Sequence, residues 1–176
     1  TKYGDMTITL ITGANKGLGY ETARRLVAAG HTVLVGARDP QLGSAAATAL
    51  GARFVHIDVT NDESVAAAVA NVAEHEGSID VLINNAGISG THGDAAELSG
   101  SDVLAVFDVN VAGVVRMTTA FLPLLRTSSD PVIVNVSSGM GSLAFTHDPT
   151  RIESSVVAPV YTSSKAAVTM LTTQYA

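Results

Sequence analysis

The chain alternates short apolar runs with longer segments in which apolar residues recur every three or four positions. Runs rich in β-branched residues predict five β-strands, at 6–12, 32–35, 54–57, 79–83 and 131–136. Helical spacing fills the stretches between them, and the first predicted helix carries one apolar face with Leu18, Thr22, Leu26 and Ala29. Strands that alternate with helices need crossover connections. The pattern therefore predicts a doubly wound parallel α/β sheet with helices on both faces, in one domain over 1–176.

Local signals predict where the helices begin. Asp39-Pro40 is expected to open one helix, and residues 60–63 form a predicted capping box ahead of another. A long helix is expected from about 110 to 126, and a last helix is expected to begin at Tyr161. Residues 139–159 form the one long irregular stretch. Ligands of doubly wound folds bind at the carboxyl ends of the strands, so we expect the chemistry in the loops that follow them.

The composition narrows the class of partner. Ten Lys+Arg against 16 Asp+Glu give a net charge of −6, so the broad positive field used by nucleic-acid and anionic-membrane binders is missing. The absence of Cys excludes thiolate metal sites and cysteine nucleophiles. No apolar run reaches the roughly 18 residues of a membrane span, and residues 1–5 give no signal peptide, so we expect a cytoplasmic protein. The histidines lack metal-ligand spacing and are interpreted as structural or solvated: His31, His56, His75, His92 and His147.

A glycine-rich loop joins the first predicted strand to the first helix. Residues 12–19 have the sequence TGANKGLG, in which glycines allow tight turns and close approach to a ligand. The loop amides and the helix N-terminus would form an anion site. The alternative is a tight strand-to-helix turn without a ligand, because three glycines alone have little specificity.

Further motifs follow the later strands. Residues 84–87 are NNAG, residues 136–138 are VSS, and Tyr161 and Lys165 stand four positions apart in YTSSK. With the glycine loop and Asn110 in the long helix, these ordered motifs resemble the short-chain dehydrogenase/reductase family over nearly the whole chain. The motifs at 15–16 (NK), 37–39 (ARD) and 134–138 (VNVSS) look most like those of carbonyl-reductase-type members.

The resemblance implies an oxidoreductase that moves a hydride between a nicotinamide cofactor and a small carbonyl or alcohol substrate. A catalytically silent NAD(P)-binding sensor or interaction protein on the same fold is the alternative. Such a protein would be expected to have lost Tyr161 or Lys165, and the chain keeps both. A glycine-loop methyltransferase is a more distant alternative, disfavoured by the NNAG and Tyr/Lys motifs.

Tyr161 and Lys165 also have a physical interpretation of their own. At i and i+4 of a helix the two side chains project from one face, so the ammonium favours the phenolate and lowers a tyrosine pKa that is ordinarily about 10. Such a pair by itself is more often a solvated helix face. The resemblance implies that Tyr161 is the general acid/base, that Lys165 also holds the nicotinamide ribose, and that Asn110 anchors a water leading to Lys165. It implies that Ser138 hydrogen-bonds the substrate oxygen, in preference to Ser137, because residues 138–141 match the family's Ser-x-x-Gly.

The resemblance further implies which residues bind the cofactor. Asp58, next to Val59, is expected to take the adenine amino group; its alternative role is a cap for the following helix. Asp39 before Pro40 has the pattern of a helix N-cap, which leaves Arg38 and Lys16 for a 2′-phosphate and favours NADP(H) over NAD(H). The predicted cofactor set is Gly13, Asn15, Lys16, Gly17, Leu18, Gly19, Arg38, Asp58, Val59, Asn85, Ala86, Gly87, Tyr161 and Lys165.

The C-terminal third departs from the family pattern in two ways. Ser138 and Tyr161 are 23 positions apart, a longer spacing than usual, although carbonyl-reductase-like members carry an even longer insertion. We expect this stretch to lie on the surface beside the substrate pocket. The sequence ends at Ala176 inside the last predicted helix, where family members continue, so an incomplete catalytic domain is expected. Family members usually associate through the long helix and the helix bearing Tyr161. An insertion beside the latter blocks association in monomeric carbonyl-reductase-like members, which leaves a monomer as the alternative. The stretch here is shorter than theirs, which favours a homodimer or homotetramer.

Overall fold

A five-stranded parallel sheet flanked by helices organises the computed structural model, which describes residues 6–90 and 95–176. The strand order is β3-β2-β1-β4-β5. The strands are β1 (Ile8–Thr12), β2 (Thr32–Ala37), β3 (Arg53–His56), β4 (Val81–Asn84) and β5 (Val132–Asn135). The predicted doubly wound α/β fold is confirmed. The interpretations made for residues 1–5 and for His92 lie outside the described residues.

The central strand β1 explains why the strand sequences are continuously apolar. It pairs in parallel with β2 on one side and β4 on the other, so that Ile11 lies opposite both Val35 and Ile83. Leu10 and Ile11 are fully buried. A strand covered on both faces needs apolar residues at successive positions, and each such side chain stabilises the fold by about 1.5–3 kcal/mol when buried.

The order of the strands reverses next to β1. The chain forms β1, β2 and β3 in one direction and then crosses back to place β4 on the free side of β1. In open α/β sheets, ligands bind in the crevice at such a reversal, outside the carboxyl ends of the two strands. Here those ends carry Thr12-Gly13 and Asn84-Asn85, which are the sequence motifs selected above.

Seven α-helices accompany the strands within the described residues. They are α1 (Gly17–Ala28), α2 (Pro40–Leu50), α3 (Asp62–His75), α4 (Gly100–Phe107), α5 (Gly113–Leu125), α6 (Leu143–His147) and α7 (Pro159–Tyr175).

The start of α2 is confirmed and the start of α3 is corrected. Asp39 Oδ1 accepts hydrogen bonds from the amides of Gln41 and Leu42, each at 2.9 Å, with Pro40 in the first turn. The predicted capping box at 60–63 is wrong. Asn61 is the N-cap of α3, because its side chain accepts from the Ser64 amide at 2.7 Å, while the Thr60 hydroxyl is engaged by Asp58.

The long helix begins earlier than predicted. A continuous helical run extends over Gly100–Leu125, rather than from Asn110. It starts ten residues earlier because Ser99 and Asp102 form a capping box, in which each side chain bonds the other residue's amide. Residues Asp108–Ala112 make a π-helical turn inside the run, between α4 and α5.

The same run corrects the expectation about membrane spans. Among the described residues, Gly100–Leu125 is long and apolar enough to cross a membrane by length and composition, whereas the sequence pattern predicted no such segment. Most of its buried residues recur every three or four positions, as in a helix packed along one face: Val106, Asn110, Val114, Met117, Phe121 and Leu125. Core helices meet the same criterion, so the observation carries no membrane assignment.

The stretch predicted to be irregular contains short helices. Gly139–Gly141 and Ile152–Ser155 are 3₁₀ turns, and α6 lies between them. Side-chain caps such as Ser138 and Ser142 support turns too short to leave a periodic pattern. The last helix begins at Pro159 rather than at Tyr161, since proline is well suited to the first helical position.

The described residues form two compact units. The first contains 6–86 and 116–134, which include the sheet up to Val134 and helices α1 to α3. The second contains 87–90, 95–115 and 135–176, which include α4, α6 and α7. The single domain inferred from chain length stays a prediction.

Candidate active site

The glycine loop of the first unit turns sharply between β1 and α1. Gly13 and Gly17 have φ angles of 65° and 58°, in the left-handed region that favours glycine. Lys16, Gly17 and Leu18 are exposed at the start of α1, whereas Gly19 is buried. A Cβ built on Gly17 would have no protein atom within 4 Å. Gly17 therefore faces open space at a helix N-terminus, where an anion can approach the backbone.

Asn85 fastens this loop to the end of β4. Its Nδ2 donates to the carbonyls of Thr12 at 2.8 Å and Gly13 at 3.2 Å. A Cβ on Gly13 would lie 3.0 Å from the Ala86 Cα, and one on Gly19 would lie 2.5 Å from the Asn85 Nδ2. Packing within the protein thus requires glycine at positions 13 and 19. Gly17 differs from them because no protein atom occupies the space where its side chain would project.

Thr12 is the first residue of the glycine-loop motif, but the sequence assigned it no role in the site. Its Oγ1 accepts hydrogen bonds from the amides of Asn85 and Ala86, both at 3.0 Å. Asn84, the first residue of the NNAG motif, is buried, and its Nδ2 donates to the Thr118 hydroxyl at 3.3 Å. A polar residue directly before the first glycine was the available signal for Thr12.

A separate cavity of about 570 Å³ adjoins the ends of β2 and β3. It is lined by Arg38, Asp39, Pro40, Gln41 and Asp58. Asp58 Oδ1 accepts from the Thr60 amide at 3.0 Å and the Thr60 hydroxyl at 2.7 Å. The hydrogen bond from the Thr60 amide makes the largest contribution to holding the pKa of Asp58 below its ordinary value. The hydrogen bond from the Thr60 hydroxyl and the positive charge of Arg38 lower this pKa further. Asp58 is therefore ionised and stabilises the turn ahead of α3, while Asn61 caps that helix.

Arg116 supports the same turn. It reaches Val59, the residue after Asp58, by an Nη1 hydrogen bond to the Val59 carbonyl at 3.1 Å. Its Nε pairs with Asp62 Oδ1 at 2.9 Å. One guanidinium thus bonds both the turn and the start of α3, a two-pronged contact that suits arginine. Arg116 carries no sequence signal of this role, because it lies in the middle of a long helix.

In the second unit, Lys165 is a buried cation on α7. It is 5% exposed, and its Nζ donates to the Val136 carbonyl at 2.8 Å. Burial lowers the pKa of Lys165, since the charged ammonium loses hydration. The Nζ lies 5.7 Å from the centroid of the Tyr161 ring, one helical turn away. Lys165 therefore lies in the interior of this unit, next to a partly exposed Tyr161, and does not belong to a solvated helix face.

Asn110 connects α7 to the segment that follows β4. Its Oδ1 accepts from the Ile88 amide at 2.8 Å, and its Nδ2 donates to the Ile88 carbonyl at 2.9 Å and to the Ser164 hydroxyl at 2.9 Å. Ser164 Oγ in turn donates to the Tyr161 carbonyl at 2.7 Å. The Asn110 side chain belongs to the π-helical turn Asp108–Ala112, and such turns are often found at functional sites. Asn110 thus fixes the helix that carries Tyr161.

The two serines after β5 have different surroundings. Ser137 Oγ donates to the Lys165 carbonyl at 3.0 Å and shares a hydrogen bond with the Thr169 hydroxyl at 2.8 Å. Ser138 Oγ accepts from the Met140 amide at 3.2 Å. Ser137 therefore anchors α7, whereas Ser138 retains its own hydroxyl proton for donation to another oxygen.

Gly141 brings the serine turn against α7. A Cβ on Gly141 would lie 2.6 Å from the Lys165 carbonyl carbon and 2.8 Å from the Ala166 nitrogen. Only glycine allows this backbone contact without displacement. The last position of the Ser-x-x-Gly motif therefore requires glycine because the Ser138 turn packs against the backbone at Lys165.

The remaining predicted residues have simple positions. Asn15 lies in the glycine loop and is partly exposed, whereas Gly87, which follows Ala86 directly, is exposed. Within the residues that the structure describes, no group of three or more potential ligands is placed to hold a metal ion. The first unit thus carries the glycine loop and the cavity lined by Arg38 and Asp58. The second unit carries the set of Tyr161, Lys165, Ser138 and Asn110.

Comparison with known proteins identifies one family. A family model described as short chain dehydrogenase matches residues 7–176. A short-chain dehydrogenase anuI of Penicillium roqueforti is 43% identical over 175 residues, covering 93% of this chain and 69% of that protein. An NADPH-dependent pterin aldehyde reductase of Arabidopsis thaliana is 35% identical, covering 90% of this chain and 63% of that protein.

Solved structures of two enzymes are also similar. A short-chain dehydrogenase from Streptomyces avermitilis has a TM-score of 0.84 at 31% identity, over 99% of this chain and 61% of that one. A 3-ketoacyl-(acyl-carrier-protein) reductase from Brucella melitensis, complexed with NADH, has a TM-score of 0.85 at 28% identity, over 97% of this chain and 69% of that one. The chain thus spans roughly three fifths to two thirds of the length of the proteins it matches.

Proposed function

The chain belongs to the short-chain dehydrogenase family, and on that premise we propose that it transfers a hydride between NADP(H) and a carbonyl or alcohol substrate. The observation that carries the proposal is the Tyr161–Lys165 pair. Lys165 is 5% exposed and lies 5.7 Å from the centroid of the Tyr161 ring. A buried cation one turn from a phenol is a suitable arrangement for an acid/base tyrosine, because little water screens the attraction between ammonium and phenolate.

In the proposed reaction the protein orients the reactants and transfers the proton. A nicotinamide cofactor, when bound, supplies or accepts the hydride. Tyr161 gives its proton to the substrate oxygen in reduction and removes it in oxidation. Lys165 stabilises the resulting phenolate. Ser138 donates a hydrogen bond to the same substrate oxygen. Its hydroxyl proton is available for this bond because Ser138 Oγ is the acceptor in the bond with the Met140 amide.

Asn110 acts as a positioning residue in this proposal. Its three hydrogen bonds to Ile88 and Ser164 keep the Tyr161 turn of α7 in place. The water proposed to link Asn110 with Lys165 would give the ammonium a proton path. Removal of the Asn110 amide would leave buried polar partners without hydrogen bonds, which costs about 1–3 kcal/mol per group.

The glycine loop fits a nicotinamide dinucleotide. The supporting observation is Gly17, which opens α1 with a positive φ and unoccupied space where a side chain would project. We assign the pyrophosphate to the loop residues Gly13, Asn15, Lys16, Gly17, Leu18 and Gly19. Asp58 and Val59 would take the adenine, and Asn85, Ala86 and Gly87 the ribose near the nicotinamide, together with Lys165.

The positions of Asp39 and Arg38 support the proposed preference for NADP(H). Asp39 Oδ1 is engaged by two amides at the N-terminus of α2, so this carboxylate is committed to capping. Arg38 lines the adjoining cavity with Asp58. A guanidinium there, with Lys16 from the glycine loop, suits a 2′-phosphate. A homodimer or homotetramer and a cytoplasmic location stay predictions, of which sedimentation tests the first.

Cofactor titration tests the binding part of the proposal. NADPH added to the full chain should change its fluorescence at lower concentration than NADH does, and S-adenosylmethionine should give no response. Tyr161→Phe should leave NADPH binding nearly intact, because Tyr161 is one of many residues in the predicted cofactor set and the substitution removes only its hydroxyl. A response to S-adenosylmethionine but not to NADPH would contradict the proposal.

A further inference from the structure

We propose that Glu153 is a positioning residue that fixes the turn carrying Ser138. The proposal rests on the proposed function, which gives Ser138 its contact with the substrate. Glu153 belongs to the extended stretch between Ser138 and Tyr161, in the 3₁₀ turn Ile152–Ser155. Its role would make that stretch a part of the catalytic apparatus, rather than a surface insertion that only borders the pocket.

The first observation is the contact between Glu153 and Gly139. Gly139 follows Ser138 and begins the 3₁₀ turn Gly139–Gly141. A Cβ built on Gly139 would overlap the Glu153 Oε1 and would lie 3.3 Å from the Glu153 Cδ. The carboxylate therefore rests directly on the Gly139 Cα. The Glu153 side chain is only 14% exposed, so this is a packed position for a charged group.

The second observation is that both carboxylate oxygens are restrained. Arg151 Nε donates to Oε2 at 3.1 Å, and Arg151 Nη2 donates to Oε1 at 2.9 Å. The guanidinium carbon of Arg151 lies 3.6 Å from the centroid of the Phe145 ring on α6. A guanidinium that pairs with a carboxylate through two bonds and stacks on a ring has a fixed orientation. Both oxygens of the Glu153 carboxylate are therefore bonded to Arg151, which favours the orientation that touches Gly139.

The third observation connects Glu153 to Ser138. The Ser138 turn closes through the Gly141 amide, which donates to the Ser138 carbonyl at 2.9 Å, and through the Met140 amide on Ser138 Oγ. Gly141 rests on the α7 backbone at Lys165. Glu153 holds the first residue of the turn and α7 holds its last. In the proposal, the Glu153 contact with Gly139 restricts the direction of the Ser138 hydroxyl through the turn that Gly139 and Ser138 share.

Three variants and a control test the assignment in the full chain. Glu153→Gln keeps the size of the side chain and weakens the pair, and Arg151→Met removes the pair from the other side. Both should lower kcat about tenfold, since small misplacements of a reacting group can cost up to about 100-fold. The NADPH dissociation constant should change less than twofold. Glu74→Gln, which alters an exposed carboxylate on α3, should leave kcat unchanged.

Gly139→Ala is the third variant and changes the other residue of the Gly139–Glu153 contact. Its methyl group would displace the Glu153 carboxylate, so kcat should fall to the same extent as in Glu153→Gln. The double variant Gly139→Ala with Glu153→Gln should be no worse than either single variant, because both changes remove one contact. Multiplied losses in the double variant would mean that the two residues act independently, which overturns the proposal.

Two further measurements separate this inference from the proposed function. In a Ser138→Ala background, Glu153→Gln should cause no additional loss of kcat, since the contact acts through the hydroxyl. Hydrogen exchange of the Met140 and Gly141 amides should accelerate about tenfold in Glu153→Gln, whatever the activity. If Ser138→Ala keeps its activity, the role of Ser138 fails and exchange alone decides the Glu153 contact. Unchanged exchange together with an unchanged kcat in Glu153→Gln would overturn the assignment.

Discussion

Gly141→Ala should damage stability and catalysis together, because the Ser138 turn packs on the α7 backbone. An alanine Cβ would lie 2.6 Å from the Lys165 carbonyl carbon and 2.8 Å from both the Lys165 oxygen and the Ala166 nitrogen. Carbon atoms in contact are ordinarily about 3.5–4.0 Å apart. The turn and α7 would therefore have to separate by about 1 Å, and backbone atoms, unlike a flexible side chain, cannot rotate away.

The expected magnitude follows from this displacement. Overpacking of this kind costs about 1–3 kcal/mol, which lowers Tm by about 2–4 °C per kcal/mol in a chain of this length. A shift of about 1 Å at Lys165 would also disturb its bond to Val136 and the bond from Ser137, so kcat should fall by up to about 100-fold. Thermal unfolding and NADPH-dependent turnover measure the two effects on one preparation.

Gly100→Ala provides the matched control. Gly100 is the first residue of α4, and a Cβ there has no neighbour within 4 Å. Alanine should keep the activity and leave the stability unchanged or raise it by up to about 1 kcal/mol, because it restricts the unfolded chain. A Gly141→Ala protein as stable and active as Gly100→Ala would refute the packing of the Ser138 turn on α7.

Three other predictions follow from the structure. Arg38→Glu should weaken NADPH binding by at least tenfold and NADH binding much less, and equal losses in a fluorescence titration would contradict the assignment of the 2′-phosphate. Because burial lowers the pKa of Lys165, the unfolded chain binds more protons between that pKa and about 10.4. Unfolding at a series of pH values should show wild-type stability rising through this window relative to Lys165→Met, and a constant difference would be the contrary result. A lysine at position 116 cannot make both the Val59 and Asp62 contacts, so Arg116→Lys should weaken NADPH and NADH binding alike by about threefold to tenfold. A loss confined to NADPH would contradict the view that Arg116 only supports the turn after Asp58.

The fold was predictable because its determinants are local. Continuous apolar runs mark strands buried on both faces, and Asp39-Pro40 is a cap whose partners are only two and three residues away. The start of α4 was missed although its capping box is also local, since Ser99 and Asp102 lie among other Ser and Gly residues that indicate a loop. Periodicity alone located this helix only from its more apolar second half.

The parts of the site that escaped prediction depend on contacts between distant residues. Thr12 and Asn85 meet only because β1 and β4 are neighbours, at a separation of 73 residues in sequence. The Gly141 contact with Lys165 and the Glu153 contact with Gly139 likewise require the folded chain. A motif such as Ser-x-x-Gly suggests where the residues are, and the packing explains why the glycine is there.

Direct observation of hydride transfer tests the central claim. NADPH with deuterium at both C4 positions of the nicotinamide should be supplied to the full chain with a panel of aldehydes and ketones, and the alcohol products analysed by mass spectrometry. Wild-type protein should deliver deuterium to the former carbonyl carbon, whereas Tyr161→Phe should bind the same NADPH with nearly equal affinity and transfer none. Transfer by Tyr161→Phe at most of the wild-type rate, or no transfer by the wild type to any carbonyl compound despite tight NADPH binding, would contradict the account.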